Sequence, residues 1–134
     1  MARSLVKDVP YERFTAGKYG LAPGVTVTLH MPVSGRTVGG RRALIDTGSE
    51  ITWVYPRDVA IDLDSDVDWD PLKHECILGV EIDGQVYYVE CGYHDHPYAG
   101  TEQVLIGVNL LSNWLVGLDG RKQLLSVTHL DPGE

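Results

Sequence analysis

The sequence is poor in the features that would assign several functional classes at once. Its 134 residues hold two cysteines, Cys76 and Cys91, too few for a disulfide scaffold. There is no basic excess. The net charge of -8 argues against nucleic acid or an anionic membrane as the main partner, since both attract basic surfaces. No apolar run approaches the roughly 18 residues that a membrane span needs. The start, Met1-Ala2-Arg3-Ser4-Leu5-Val6-Lys7-Asp8, has no apolar core segment, so no secretory leader is expected and the cytoplasm is the expected compartment. No Gly-x-Ser-x-Gly elbow and no phosphate loop occur. The glycines of Gly35-Arg36-Thr37-Val38-Gly39-Gly40 are more simply those of a hairpin turn.

What remains is a chain of turns and short strands, with fifteen Gly and seven Pro. A length of 134 residues suits one domain. Residues 1–20 read as a loosely ordered arm with a possible edge strand. From Gly24 the pattern alternates: Val25, Val27, Leu29 and Met31 face one way, Thr26, Thr28 and His30 the other, which marks a half-buried strand. Gly39-Gly40 breaks the pattern, and a second strand runs from about Arg41 to Ile45. A third apolar run covers Ile51 to Tyr55. Asp83-Gly84 is a strong two-residue turn signal. It pairs Ile82 with Gln85, Val80 with Tyr87, Leu78 with Val89, and Cys76 with Cys91 on one face. Two cysteines placed so could form a cross-strand disulfide; the expected cytoplasmic setting favours two buried thiols. Val104-Leu105-Ile106-Gly107 reads as a buried strand. A short helix is expected near residues 108–114, with Leu110, Leu111 and Trp114 on one side. Asp119-Gly120 closes a C-terminal hairpin over residues 114–127. These spacings describe a small, mostly β domain, closed or partly closed.

The chemistry points to Asp46. An apolar strand, Ala43-Leu44-Ile45, delivers Asp46-Thr47-Gly48-Ser49, and another apolar strand follows. Downstream, Val104-Leu105-Ile106-Gly107-Val108-Asn109-Leu110-Leu111 forms a second block, its glycine 61 positions after Asp46. The two blocks, in this order and at this separation, resemble those of the retropepsin-like, single-domain aspartic proteases, and the order of elements fits from about Val25 to Val127. The resemblance is closer to cellular and bacterial members, because about twenty residues follow Leu111 where retroviral enzymes end.

The resemblance implies an all-β, closed acid-protease-type barrel over residues 1–134 that works as a homodimer. Two-domain relatives carry two Asp-Thr/Ser-Gly motifs, whereas this chain has one. A symmetric dimer would therefore bring two Asp46 side chains together. Such a dyad hydrolyses peptide bonds with a water molecule and needs no cofactor or metal. Thr47 is implied to bond across the interface, Gly48 to admit a tight backbone whose amide bonds the carboxylate, and Ser49 to support the carboxylate from outside. Leu105-Ile106-Gly107 is implied to pack beneath the loop. The expected partners are a second copy and a peptide or protein substrate. A non-catalytic dimerisation or peptide-binding module is the alternative, and excision from a longer precursor is a third possibility.

One segment departs from the pattern. By position the covering hairpin, or flap, falls in residues 62–76, and that stretch has no glycine. It has five Asp (residues 62, 64, 66, 68 and 70), with Trp69 and Pro71. If it covers the cleft, Trp69 is a candidate substrate contact and the acids favour basic substrates. The alternating carboxylates also invite a calcium loop, but Val67 stands where such a loop needs glycine and Lys73 where it needs a bidentate Glu. His74, Cys76, Cys91, His94 and His96 lack the tight paired spacing of a zinc site.

Overall fold

The computed structural model describes residues 2–15, 20–94 and 101–133. Its elements are β1 (Arg3–Pro10), β2 (Glu12–Arg13), β3 (Leu21–Ala22), β4 (Gly24–His30), β5 (Thr37–Ile45), β6 (Thr52–Val54), β7 (Asp68–Asp70), β8 (Glu75–Ile82), β9 (Gln85–Tyr93), β10 (Val104–Ile106), α1 (Val108–Leu111), β11 (Trp114–Asp119) and β12 (Leu124–His129).

Alternation dictates the core. Val25, Val27 and Leu29 on β4 are buried, while Thr26 is exposed. On β8 and β9, Cys76, Leu78, Val80, Ile82, Tyr87 and Cys91 are buried together. Each fully buried aliphatic side chain contributes roughly 1.5–3 kcal/mol relative to an exposed one. These inward rows close a barrel of six strands, in the order β4-β5-β10-β6-β9-β8, with β8 pairing back to β4 through Thr28↔Glu81 and Leu29↔Val80. A separate sheet, β1-β12-β11, packs Leu5, Trp114, Leu125 and Val127 onto the same core.

Two parallel pairings set the position of the Asp46 turn. β10 inserts between β5 and β6, the strands on either side of that turn, and runs parallel to β5 with Val104↔Ala43 and Ile106↔Ile45. It runs antiparallel to β6. β6 in turn pairs parallel with β9, Thr52 opposite Cys91.

The β8–β9 hairpin has the expected register, from Ile82↔Gln85 to Cys76↔Cys91. Asp83 (φ 48°) and Gly84 (φ 80°) both take left-handed conformations, the type I′ geometry that matches strand twist. Both cysteines are free and buried.

Other boundaries differ from the sequence reading. β5 starts at Thr37 and runs through Gly39-Gly40 rather than after it. The pair is absorbed as an irregularity against β4, with Gly40 at φ 67°. The helix is a single turn that ends at Leu111. Trp114 is a strand residue, because its backbone pairs with His129 and Asn113 already accepts from the Leu130 amide. The last turn spans residues 120–123, with Gln123 at φ 56°, so that Asp119 pairs with Leu124. Residues 3–10 of the N-terminal arm form β1, paired to β12.

Candidate active site

The loop that carries Asp46 is held from below. The Asp46 amide donates to the Ile106 carbonyl (2.9 Å), and the amides of Val108 and Asn109 donate to the carbonyls of Ser49 (2.7 Å) and Glu50 (3.1 Å). The end of β10 and the start of α1 thus clamp both limbs of the turn. This clamp demands glycine at 107. A Cβ there would lie 2.0 Å from the Ile51 carbonyl oxygen and 2.9 Å from that of Ser49. The backbone at Gly107 is otherwise ordinary (φ -99°), so the requirement is close approach and not conformational freedom.

A second tie lies behind the loop. Asn109 Oδ1 accepts from the Thr52 amide (3.0 Å) and the Thr52 hydroxyl (2.9 Å), and Asn109 Nδ2 donates to the Glu90 carbonyl (2.7 Å). The Gly107 amide donates to Thr52 Oγ1 (3.2 Å). Thr52 is fully buried, and this network satisfies its polar groups. It joins β6, β9 and the helix start into one rigid support.

Within the loop, the Gly48 amide donates to Asp46 Oδ1 (2.9 Å), and no other described residue donates to this carboxylate. The Ser49 hydroxyl donates to the Ile51 carbonyl (2.7 Å) instead of to Asp46. Ser49 supports the turn and does not touch the carboxylate. The Thr47 side chain is exposed and makes no hydrogen bond with a described residue.

Asp46 lines an open cavity of about 370 Å³ together with Gly48, Ser49, Trp53, Glu102 and Leu105. Trp53 also borders a second cavity of about 550 Å³, shared with Ile51, Lys73, His74, Glu75, Gly92, Tyr93 and His94. Trp53 is common to the two linings, and the second cavity reaches the β7–β8 turn at Lys73 and His74. Trp53 is fixed there: its ring stacks on His94 (centroids 4.3 Å apart), and a Cβ at Gly92 would strike it at 2.7 Å.

The glycine-free segment is in part a hairpin. β7 pairs with β8 through Asp68↔Ile77, Trp69↔Cys76 and Asp70↔Glu75. Its tip is Pro71-Leu72-Lys73-His74, where His74 takes the left-handed conformation (φ 53°) that glycine would ordinarily supply. Asp70 Oδ1 accepts from the Leu72 amide (3.0 Å) and orders the tip. Leu72 is 93% exposed there. Trp69 stands outside the Asp46 cavity; its indole donates to the Tyr93 hydroxyl (2.8 Å) and braces a wall of the second cavity.

The acids before β7 have local partners. Asp62 accepts from the Ser65 hydroxyl (2.6 Å) and the Asp64 amide (2.9 Å); Asp66 accepts from the Asp62 amide (3.1 Å) and pairs with Arg36. The Ser65 bond first, then the Asp64 amide, holds Asp62 below the usual carboxylate range; the Asp62 amide and Arg36 do the same for Asp66. Among the described residues no three His, Cys, Asp or Glu side chains converge as metal ligands, and His96 lies outside the described residues. No described helix is long and apolar enough to cross a membrane.

Sequence reasoning placed Asp46, Gly48 and the Leu105-Ile106-Gly107 support but missed Trp53, Asn109 and Glu102. Trp53 had a signal, a large aromatic on the strand directly after the turn. Asn109 stood inside the second block with no role attached. Glu102 had none, because nothing local separates an inward acid from an outward one. No protein-family model matches the chain, and no curated protein matches it.

Proposed function

We propose that this protein is an aspartic endopeptidase of the retropepsin-like kind, active as a homodimer. The observation that carries the reading is Asp46 itself. It lies on a rigidly clamped loop, accepts one hydrogen bond from the Gly48 amide, and opens onto a cavity that shares Trp53 with a second cavity beside a β-hairpin. The closed six-stranded barrel and the insertion of β10 between β5 and β6 support it.

One chain offers one Asp-Thr-Gly motif, so a second copy supplies the other carboxylate. Two carboxylates about 3 Å apart cannot both ionise and share a proton. The ionised partner takes a proton from a bound water, which attacks the scissile carbonyl carbon. The protonated partner donates to the carbonyl oxygen. The tetrahedral intermediate collapses as the amine leaves with a proton, and the dyad returns to its singly protonated state. No covalent enzyme intermediate forms. The pair titrates as a unit, so activity peaks at acidic to mildly acidic pH.

The β11 edge is the surface we assign to the partner. β11 lies at the edge of its sheet, and Leu115 (62% exposed) and Leu118 (52% exposed) leave it apolar. Asp46→Asn tests the reading: peptide cleavage is lost while the fold and the dimer persist. A variant that retained full cleavage would rule out Asp46 as the catalytic group. The hairpin tip, which lacks glycine, favours a second reading, a peptide-binding module without catalysis. That reading requires the wild-type protein to bind peptides and cleave none.

A further inference from the structure

Among the described residues, Glu102 is the one charged side chain that is buried. It is 5% exposed, and no described residue donates a hydrogen bond to it or pairs with it. It lines the same cavity as Asp46. A nearly buried carboxylate that lines a cavity and has no donor among the described residues is placed to accept one from a group that enters the cavity.

Its backbone is pinned on both sides. The Thr101 amide donates to the Phe14 carbonyl (2.6 Å) and its hydroxyl accepts from Arg42 (2.6 Å). The Gln103 amide donates to the Arg42 carbonyl (2.9 Å), and its side chain accepts from the Arg42 amide (3.0 Å) and donates to the Asp58 carbonyl (3.3 Å). Both neighbours spend their polar groups on the barrel wall, and Glu102 between them faces the cavity. The backbone that carries the carboxylate is therefore held before anything binds.

Two apolar side chains share the lining with it. Leu105 and Trp53 line the cavity with Glu102. That combination, apolar side chains beside a nearly buried acid, matches a side chain with a long aliphatic stem and a cationic head.

We infer that Glu102 is a specificity-determining residue that receives a Lys or Arg side chain of the peptide substrate beside the scissile bond. The inference rests on the endopeptidase reading of the same cavity. The stem packs along Leu105 and Trp53, and the ammonium or guanidinium donates to Glu102.

The test uses uncharged peptides in which a single lysine is moved through the sequence, each matched to a norleucine counterpart. For wild-type protein, lysine at one position raises kcat/KM about 10- to 100-fold over norleucine, the range for a buried charge-assisted hydrogen bond. In Glu102→Gln that ratio falls to near one. A ratio unchanged by the substitution overturns the inference. A second arm separates it from catalysis. Calorimetry on Asp46→Asn measures binding of the lysine peptide and its norleucine match. Binding tighter by about 10-fold for lysine, lost when Glu102→Gln is added, supports the site even if wild-type protein cleaves nothing. Equal binding of the two peptides overturns the site, and failure of cleavage alone counts only against the endopeptidase reading.

Discussion

Gly107 and Asn109 hold the Asp46 turn, and neither touches the cavity. Gly107→Ala places a methyl group against the Ile51 carbonyl at 2.0 Å, where backbone on both sides leaves no flexible atom to yield. It should cost about 3 kcal/mol of stability, read as a lower denaturant midpoint. Asn109→Ala leaves the buried Thr52 amide and hydroxyl without their acceptor and should cost about 2 kcal/mol by the same measurement. The cysteines act differently. Burial pushes the Cys76 thiol up to about 12 and Cys91 well above its usual value. Both should resist a thiol-specific reagent at pH 8 in the native protein and react once it is denatured; rapid native labelling would contradict their burial. At this scale the sequence revealed most where a residue's neighbours lie close along the chain. Asp46 and Gly48 share one turn and were legible. Asn109 acts on Thr52 across 57 positions, and Glu102 shares a cavity with Asp46 through the insertion of β10 beside β5. No local pattern encodes either.

Among the elements, the β8–β9 hairpin was read correctly in every pair, because Asp83-Gly84 fixes the turn and alternation fixes the face. The helix was read too long, since Leu110 and Trp114 suit a helix face and a strand start equally well. The acidic stretch was the hardest. Its alternating Asp residues share no single role: Asp62 and Asp66 build a turn, Asp70 caps the hairpin tip, and Asp68 is exposed on β7. The turn carries a pH signature. Asp62 and Asp66 are held below their ordinary values, so each folded carboxylate binds protons less readily than the unfolded one. Their stabilisation is therefore present above the unfolded value of about 3.9 and is lost as pH falls through the lower folded value. A carboxyl titration followed by NMR should give midpoints below about 3.9 for both residues, and values at or above it would refute the local bonding. The turn thus stays intact across the mildly acidic range in which the proposed dyad works.

For the whole molecule, a mostly β domain, closed or partly closed, followed from strand spacing, but the pairings that close the barrel did not. The β4–β8 pairing and the parallel β5–β10 and β6–β9 pairings join segments far apart in sequence. The dimer belongs to this scale too. Leu115→Lys puts a charge on the exposed β11 edge and should lower dimer content in sedimentation, with cleavage falling in proportion and the monomer fold unchanged. The central claim is that one active site needs Asp46 from two chains. Its most direct test is to refold wild-type protein together with Asp46→Asn at varied ratios and measure peptide cleavage. If every active dimer needs two intact chains, activity falls as the square of the wild-type fraction, so equal amounts leave about one quarter. A linear fall, with about one half remaining at equal amounts, would contradict the claim and mean that Asp46 completes its site within a single chain.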